Sequence, residues 1–210
     1  MFMAISGRSP HSPPAGGAVH PALAVHAAGD PRRAEVEAFI QRVYAQRYGA
    51  RVLHFAPVLV SLREGGAIVA AAGYRAAGQE PLFLERYLPQ PVEAMLAPHA
   101  GHNPPRDGIV EVGHLAAAQA GEGRRLILLL GPHLAAQGFQ WVVSTLTQEL
   151  RSLFVRIGVA PLTLGAADPS VLGGDAAHWG SYYDHHPVVL AGNLQQALRH
   201  LGRRAKGAGA

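Results

Sequence analysis

Apolar positions along the chain switch between a repeat of two and a repeat of three to four, and the switches mark the elements. Residues 107–165 read as strand, turn, helix, strand, helix, strand. Ile109, Val110 and Val112 are β-branched around one acid, which predicts a strand. Gln119-Ala120-Gly121-Glu122-Gly123-Arg124 follows and opens a helix that runs toward Gln137 and stops at Gly138. Residues 139–143 predict a second strand. Thr147 and Gln148 open a second helix with Leu150, Leu153, Phe154 and Ile157 on one face, closed by Gly158. Residues 161–164 predict a third strand. The middle of the chain is therefore a βαβαβ unit with one small-residue turn after its first strand.

The flanks extend the pattern. Asp30-Pro31 reads as a helix start, Asp capping and Pro in the first turn. Val36, Phe39, Ile40, Val43 and Tyr44 then recur at helical spacing until Gly49. Residues 57–62 and 67–74 are apolar runs joined by Arg63-Glu64-Gly65-Gly66, a hairpin signal. Both faces of that hairpin are apolar, which suits a strand pair covered by helices better than a membrane-inserting one. Residues 81–88, PLFLERYL, set Glu85 and Arg86 side by side, and in an extended chain they point to opposite faces. Residues 90–96 predict a short helix with Val92, Met95 and Leu96 inward, and residues 187–191 a last strand.

Composition narrows the classes. The length of 210 residues suits one domain with a full core, expected over residues 30–198. Residues 1–29, interrupted by Pro and His, are expected to be a loosely attached leader, and residues 199–210 a basic tail. Arg199, Arg203, Arg204 and Lys206 supply four positive charges, with no acid after Asp184. Such an end attracts anionic surfaces weakly. There is no nucleic-acid motif and no interleaving of aromatic with basic residues, so no nucleic-acid partner is expected. Cysteine is absent, which removes disulfides and thiol chemistry. The start lacks the basic and apolar regions of a signal peptide, and no run approaches the ~20 apolar residues of a membrane span. A cytoplasmic location is the expectation.

Candidate chemistry gathers at the turn and the acids. The first amides of a helix lack partners and carry partial positive charge. Gly121 and Gly123 let backbone approach a phosphate, and Arg124 and Arg125 add charge. A dinucleotide site needs a third glycine where Leu126 stands, and an acid where the next strand ends in Ser144-Thr145. The pyrophosphate of coenzyme A or an unliganded turn remain. Glu111 alternates with Val110 and Val112, so it lies on one face. Desolvated there it would suit proton abstraction from an amine, and the alternative is a pair with Arg86 or Arg106. Gly113 in mid-strand predicts a bulge or a close backbone approach. His178, His185, His186 and Asp184 match no zinc spacing, and no metal is expected. No G-x-S-x-G elbow exists, and the one lysine, Lys206, is in the tail.

Four long phrases carry a resemblance. They are PLFLERYL at 81–88, IVEVGHLA at 109–116, GFQWVVSTLTQELRSLFVRIG at 138–158 and WGSYYDHHPVVLAGNL at 179–194. Together they resemble the bacterial thermostable hemolysin family, over a little more than half of the chain. The resemblance implies an α/β fold with a GNAT-like mixed, splayed sheet flanked by helices, similar to acyl-homoserine-lactone synthases. It implies an N-acyltransferase that takes an acyl group from acyl-CoA, or from acyl-phosphopantetheine on an acyl carrier protein, to a small-molecule amine by direct attack. Glu85 or Glu111 would accept the amine proton, and Tyr182 or Tyr183 would protonate the leaving thiolate. Val112, Gly113, His114 and Leu115 would bind the thioester, and Gly121, Gly123, Arg124 and Arg125 its phosphates. Arg86, Tyr87, Trp141, Ser144 and Thr145 complete the expected substrate-binding set. His114 stands where family members tend to carry Asn. The family name itself implies the alternative, a membrane-damaging protein without transfer chemistry.

Overall fold

The computed structural model describes residues 23–207. Seven strands make one sheet: β1 (Leu23–His26), β2 (Val58–Glu64), β3 (Ala67–Ala76), β4 (Ile109–Ala117), β5 (Trp141–Leu146), β6 (Leu162–Ala166) and β7 (Val188–Asn193). Their order is β1-β2-β3-β4-β5-β7-β6. Five helices accompany them: α1 (Arg33–Tyr48), α2 (Val92–Ala100), α3 (Glu122–Ala136), α4 (Gln148–Ile157) and α5 (Leu194–Gly207). Among the described residues only β4 and β5 run parallel; every other neighbouring pair is antiparallel. The sheet is therefore mixed, as expected. The strand β6 predicted to complete the βαβαβ unit does not join β5, because β7 inserts between them.

Strand alternation builds two cores. Val60, Leu62, Ala70, Ala72, Val110 and Val112 meet Leu126, Leu130 and Leu134 of α3 and Leu194 of α5. Leu59, Ala71 and Ala116 point the other way, onto Val36, Phe39 and Ile40 of α1. Farther along that second face, Ile109, Val143 and Val189 meet Leu84, Val92 and Leu96. Burial of each Leu or Val side chain contributes about 1.5–3 kcal/mol, which explains why both faces of the central strands are apolar. The β2–β3 hairpin turns at Gly65 and Gly66, whose φ values of 55° and 85° suit a tight turn of this hand. It is paired on both sides, by β1 and β4, and leaves no edge for a membrane. Among the described residues no helix is long and apolar enough to cross one.

Four segments differ from expectation. The leader expected over residues 1–29 lies outside the described residues up to residue 22, and its end forms β1, with His26 buried and bonded to Ser61 Oγ at 2.9 Å. Helix α1 starts at Arg33, not at Pro31; Asp30 instead closes a turn by accepting the Arg32 N–H at 2.7 Å. Residues 81–88 are not extended: Phe83–Tyr87 form a 3₁₀ helix. Of the expected basic tail, residues 199–207 continue α5 and residues 208–210 lie outside the described residues.

Candidate active site

The two parallel strands separate soon after they meet. Rungs join Ile109 to Trp141, Val110 to Val142 and Glu111 to Val143, and none follows, although β4 runs on to Ala117 and β5 to Leu146. Backbone groups of β4 past Glu111 that point toward β5 thus have no strand partner. A cavity of about 280 Å³ opens on the α1 side of this wedge, lined by aromatic and charged residues. A smaller one of about 100 Å³ lies on the α3–α5 side, lined almost wholly by aliphatic residues. Val112 and Leu115 line both.

Beside the wedge β4 carries one extra residue. Its partners on β3 step from Gly73↔Gly113 to Ala71↔Ala116, three residues against two. The bulge resets the alternation: Val112 faces α3 and Ala116 faces α1, an even spacing that a regular strand keeps on one side. Sequence reading put the irregularity on Gly113. The left-handed residue is instead His114, at φ 53°. Its Nε2 donates to the His54 carbonyl at 3.1 Å, which leaves Nδ1 as the bare ring nitrogen, buried without a partner among the described residues. Burial pulls the His114 pKa down to about 4, so the ring is neutral.

Glu111 lies under the cavity, 7% exposed. Its Oε2 accepts the Phe83 N–H at 2.7 Å and its Oε1 the Leu84 N–H at 3.1 Å, the first amides of the 3₁₀ helix. Arg75 Nε is 3.5 Å away. The partner is thus Arg75, rather than Arg86 or Arg106. Burial raises the Glu111 pKa to about 7, against the pull of Arg75 and the two amides.

Glu85 does not reach this cavity. Its carboxylate holds Arg106 through two contacts, at 2.8 and 3.1 Å, and accepts the N–H groups of Leu82 and Val92. Burial works to raise its pKa, but the Arg106 bonds and these amides pull it down to about 2. Both oxygens are engaged, and the carboxylate clasps Arg106 away from the cavity that Glu111 underlies.

The aromatic loop is pinned to the end of α1. Ser181 N–H donates to Tyr48 O at 2.8 Å, and the Arg51 N–H donates to His178 O at 2.7 Å. The approach is so close that a Cβ on Gly180 would lie 2.0 Å from Tyr48 O, and Gly180 has φ 52°, so only glycine fits. The geometry separates the two tyrosines. Tyr182 is buried and donates to Thr145 O at 3.3 Å. Tyr183 Oη meets Tyr87 Oη at 2.7 Å on the cavity wall. Burial raises the pKa of both Tyr183 and Tyr87, which keeps the pair protonated.

The remaining predicted residues divide. Arg86 lines the same cavity, its guanidinium 5.4 Å from the Phe83 ring centre. Thr145 lines it too, with Oγ1 buried and unbonded, while Ser144 lines the aliphatic cavity. Trp141 is 5% exposed, packs in the core and lines neither cavity. Gly121 and Gly123 stand at the start of α3, just past β4, and line neither cavity. Arg125 there is held by Glu122 at 2.8 Å and by Glu64 at 3.5 Å, whereas Arg124 is exposed. His185 bonds Glu149 at 2.7 Å, and among the described residues no three His, Asp or Glu converge to hold a metal.

Sequence reasoning missed Arg75, Tyr48 and, on the cavity wall, Arg51, Val52, Leu53, His54 and Ala56. Arg33 holds that wall segment by donating to Ala56 O and Pro57 O, each at 2.8 Å. A lone Arg at the end of an apolar strand was the available signal for Arg75.

Comparison with known proteins places the architecture. Residues 26–198 match the family model described as thermostable hemolysin. No curated protein matches the sequence. Among solved structures, TofI in an apo form is 19% identical with a TM-score of 0.59, over 86% of this chain and 96% of that one. BjaI, a CoA-dependent acyl-homoserine lactone synthase solved with SAM and isopentyl-CoA, is 13% identical with a TM-score of 0.58, covering 88% and 89%. FeeM, an N-acyl amino acid synthase from uncultured soil microbes, is 13% identical with a TM-score of 0.56, covering 88% and 96%. These likenesses show a shared fold, a GNAT-like mixed sheet flanked by helices.

Proposed function

We propose that this chain, which belongs to the thermostable hemolysin family, is an acyltransferase that moves an acyl group from a thioester to an amine. The carrying observation is the wedge between β4 and β5, with a polar cavity on one side and an aliphatic one on the other, both bordered by Val112 and Leu115. A thioester has that polarity: a polarised carbonyl next to a hydrocarbon chain. The solved structures of the same fold that carry acyl-transferring names support the reading.

In this reading the acyl chain enters the aliphatic cavity among Ile127, Leu130 and Leu190. The amides among residues 112–115 that point toward β5 hold the thioester carbonyl, and their dipoles stabilise the oxyanion as it forms. The phosphates of coenzyme A or of phosphopantetheine lie at the α3 N-terminus, against the amides of Gly123 and Arg124 and the Arg124 side chain. The amine nitrogen attacks the carbonyl carbon, the C–N bond forms and the C–S bond breaks. Glu111 takes the amine proton on the spare lone pair of Oε1. Tyr183, hydrogen-bonded to Tyr87, gives its proton to the departing thiolate.

The test is thiol release from a panel of acyl-CoA and acyl-phosphopantetheine thioesters, with mass spectrometry of the acylated amine. Amine-dependent release that drops in Glu111→Gln supports the reading. Absence of binding and turnover with every donor, together with dye leakage from liposomes, supports the lytic alternative instead.

A further inference from the structure

Within the proposed transferase, the larger cavity has the chemistry of one class of acceptor. Its wall is aromatic, with Tyr44, Tyr48, Phe83, Trp179 and Tyr182 among the lining side chains. Two cations stand at its rim beyond the one that Glu111 engages. Arg86 is exposed and among the described residues pairs only with Asp175, at 3.7 Å, and that acid is itself 65% exposed. Arg51 is exposed, lines the same cavity and forms no ion pair among the described residues. Arg75, by contrast, has Glu111 at 3.5 Å and Glu80 at 3.7 Å.

Phe83 ties the two polar ends together. Its backbone N–H bonds Glu111 at 2.7 Å, and its ring lies under the Arg86 guanidinium at 5.4 Å. A carboxylate seated on Arg86 and an amine seated near Glu111 thus flank the two ends of one residue, its ring and its backbone amide. That ring also leans on Trp179, with centroids 6.0 Å apart, so the body between the two polar ends meets aromatic faces.

We infer that the acceptor is a free α-amino acid with an aromatic side chain. Its carboxylate is held by Arg86 and Arg51, its amine is turned toward Glu111, and its ring rests on the Phe83–Trp179 wall. A planar guanidinium takes a carboxylate through two parallel hydrogen bonds, and aromatic pairs add specificity. This inference rests on the proposed transferase activity but concerns only the acceptor.

Two measurements separate the two. Calorimetry of tyrosine against tyramine, with and without a thioether analogue of decanoyl-CoA that binds without reacting, reads acceptor recognition with no turnover. Tyrosine is expected to bind at least tenfold more tightly than tyramine. Arg86→Ala and Arg51→Ala are each expected to erase that preference, and Arg86→Glu to reverse it toward tyramine, a change that mere misfolding cannot produce. Equal binding of the two amines, or a preference that survives the loss of both arginines, overturns the inference. A preference for S-adenosylmethionine or leucine over tyrosine overturns the aromatic part. Thiol release from decanoyl-CoA with the same amines reports the transferase separately: tyrosine binding without release sinks the transferase and keeps the carboxylate site.

Discussion

Glu111 pairs with Val143, and that rung is the last between β4 and β5. The acid proposed to take a proton thus sits at the apex of the wedge where the thioester would lie. Its neighbours Val112 and Leu115 border both cavities, so the division of the sheet and the division of polar from aliphatic lining coincide.

A bulky residue at that border will act on acyl length. Leu115→Trp is expected to raise the KM for ten- and twelve-carbon donors about tenfold or more and to leave two-carbon donors nearly unchanged, since each displaced methylene is worth ~0.8 kcal/mol. A chain-length series of donors checks it. A uniform loss over all lengths would show that Leu115 does not border the acyl slot.

In the proposed mechanism Glu111 sets the pH dependence. Activity is expected to fall as pH drops below about 7, where burial raises the carboxyl pKa and it takes up a proton. Glu111→Gln is expected to lower kcat by ~10²-fold or more. Stability runs the other way. The folded state holds this proton more tightly than the unfolded chain, whose value is 4.5, so Glu111 contributes stability below that pH and loses it between 4.5 and about 7. Chemical denaturation across that window, wild type against Glu111→Gln, shows the slope in one and not in the other.

The left-handed residue at the bulge sets a substitution order. His114→Asn and His114→Gly are compatible with φ 53° and are expected to fold. His114→Val places a β-branched side chain there and is expected to destabilise by ~2 kcal/mol or more. Thermal unfolding ranks the three. The neutral ring also predicts an imidazole NMR signal that does not titrate near 6.5, since burial lowers its pKa to about 4.

Glu85 and Arg106 are expected to matter for stability rather than chemistry. Glu85→Gln leaves Arg106 with Glu93 alone and is expected to cost ~1–3 kcal/mol. The depressed carboxyl contributes stability above its unfolded value of 4.5 and loses it as pH falls toward about 2. Wild type should therefore lose more stability than the variant over that range, while kcat of the variant at pH 7 stays within a few-fold.

Much of the fold was legible because it is written in local periodicity. The β4, α3, β5 and α4 pattern, the hairpin at Gly65-Gly66 and the closing Gly49 and Gly158 all follow from spacing and from glycine's freedom at positive φ. What depends on distant partners was not legible. Spacing left Glu85 and Glu111 equal, and only tertiary contacts separate them: Arg106 claims one, while the other lies beneath a cavity. The bulge was expected at Gly113 because glycine tolerates it. The left-handed residue is the next one, His114, whose ring donates to the His54 carbonyl, a partner 60 residues away that spacing does not reveal. The 3₁₀ helix at 83–87 was hidden because two of its first amides are satisfied by Glu111, 27 and 28 residues away.

The most direct measurement is an NMR titration of ¹⁵N-labelled protein with a thioether analogue of decanoyl-coenzyme A, which binds without reacting. The amides of Val112, Gly113, His114 and Leu115 are expected to shift, together with those of Gly123 and Arg124 and of Leu190 and Leu194 beside the aliphatic cavity. Shifts confined to the exposed face of α5, or no saturable shift at all, would contradict a thioester site in the wedge.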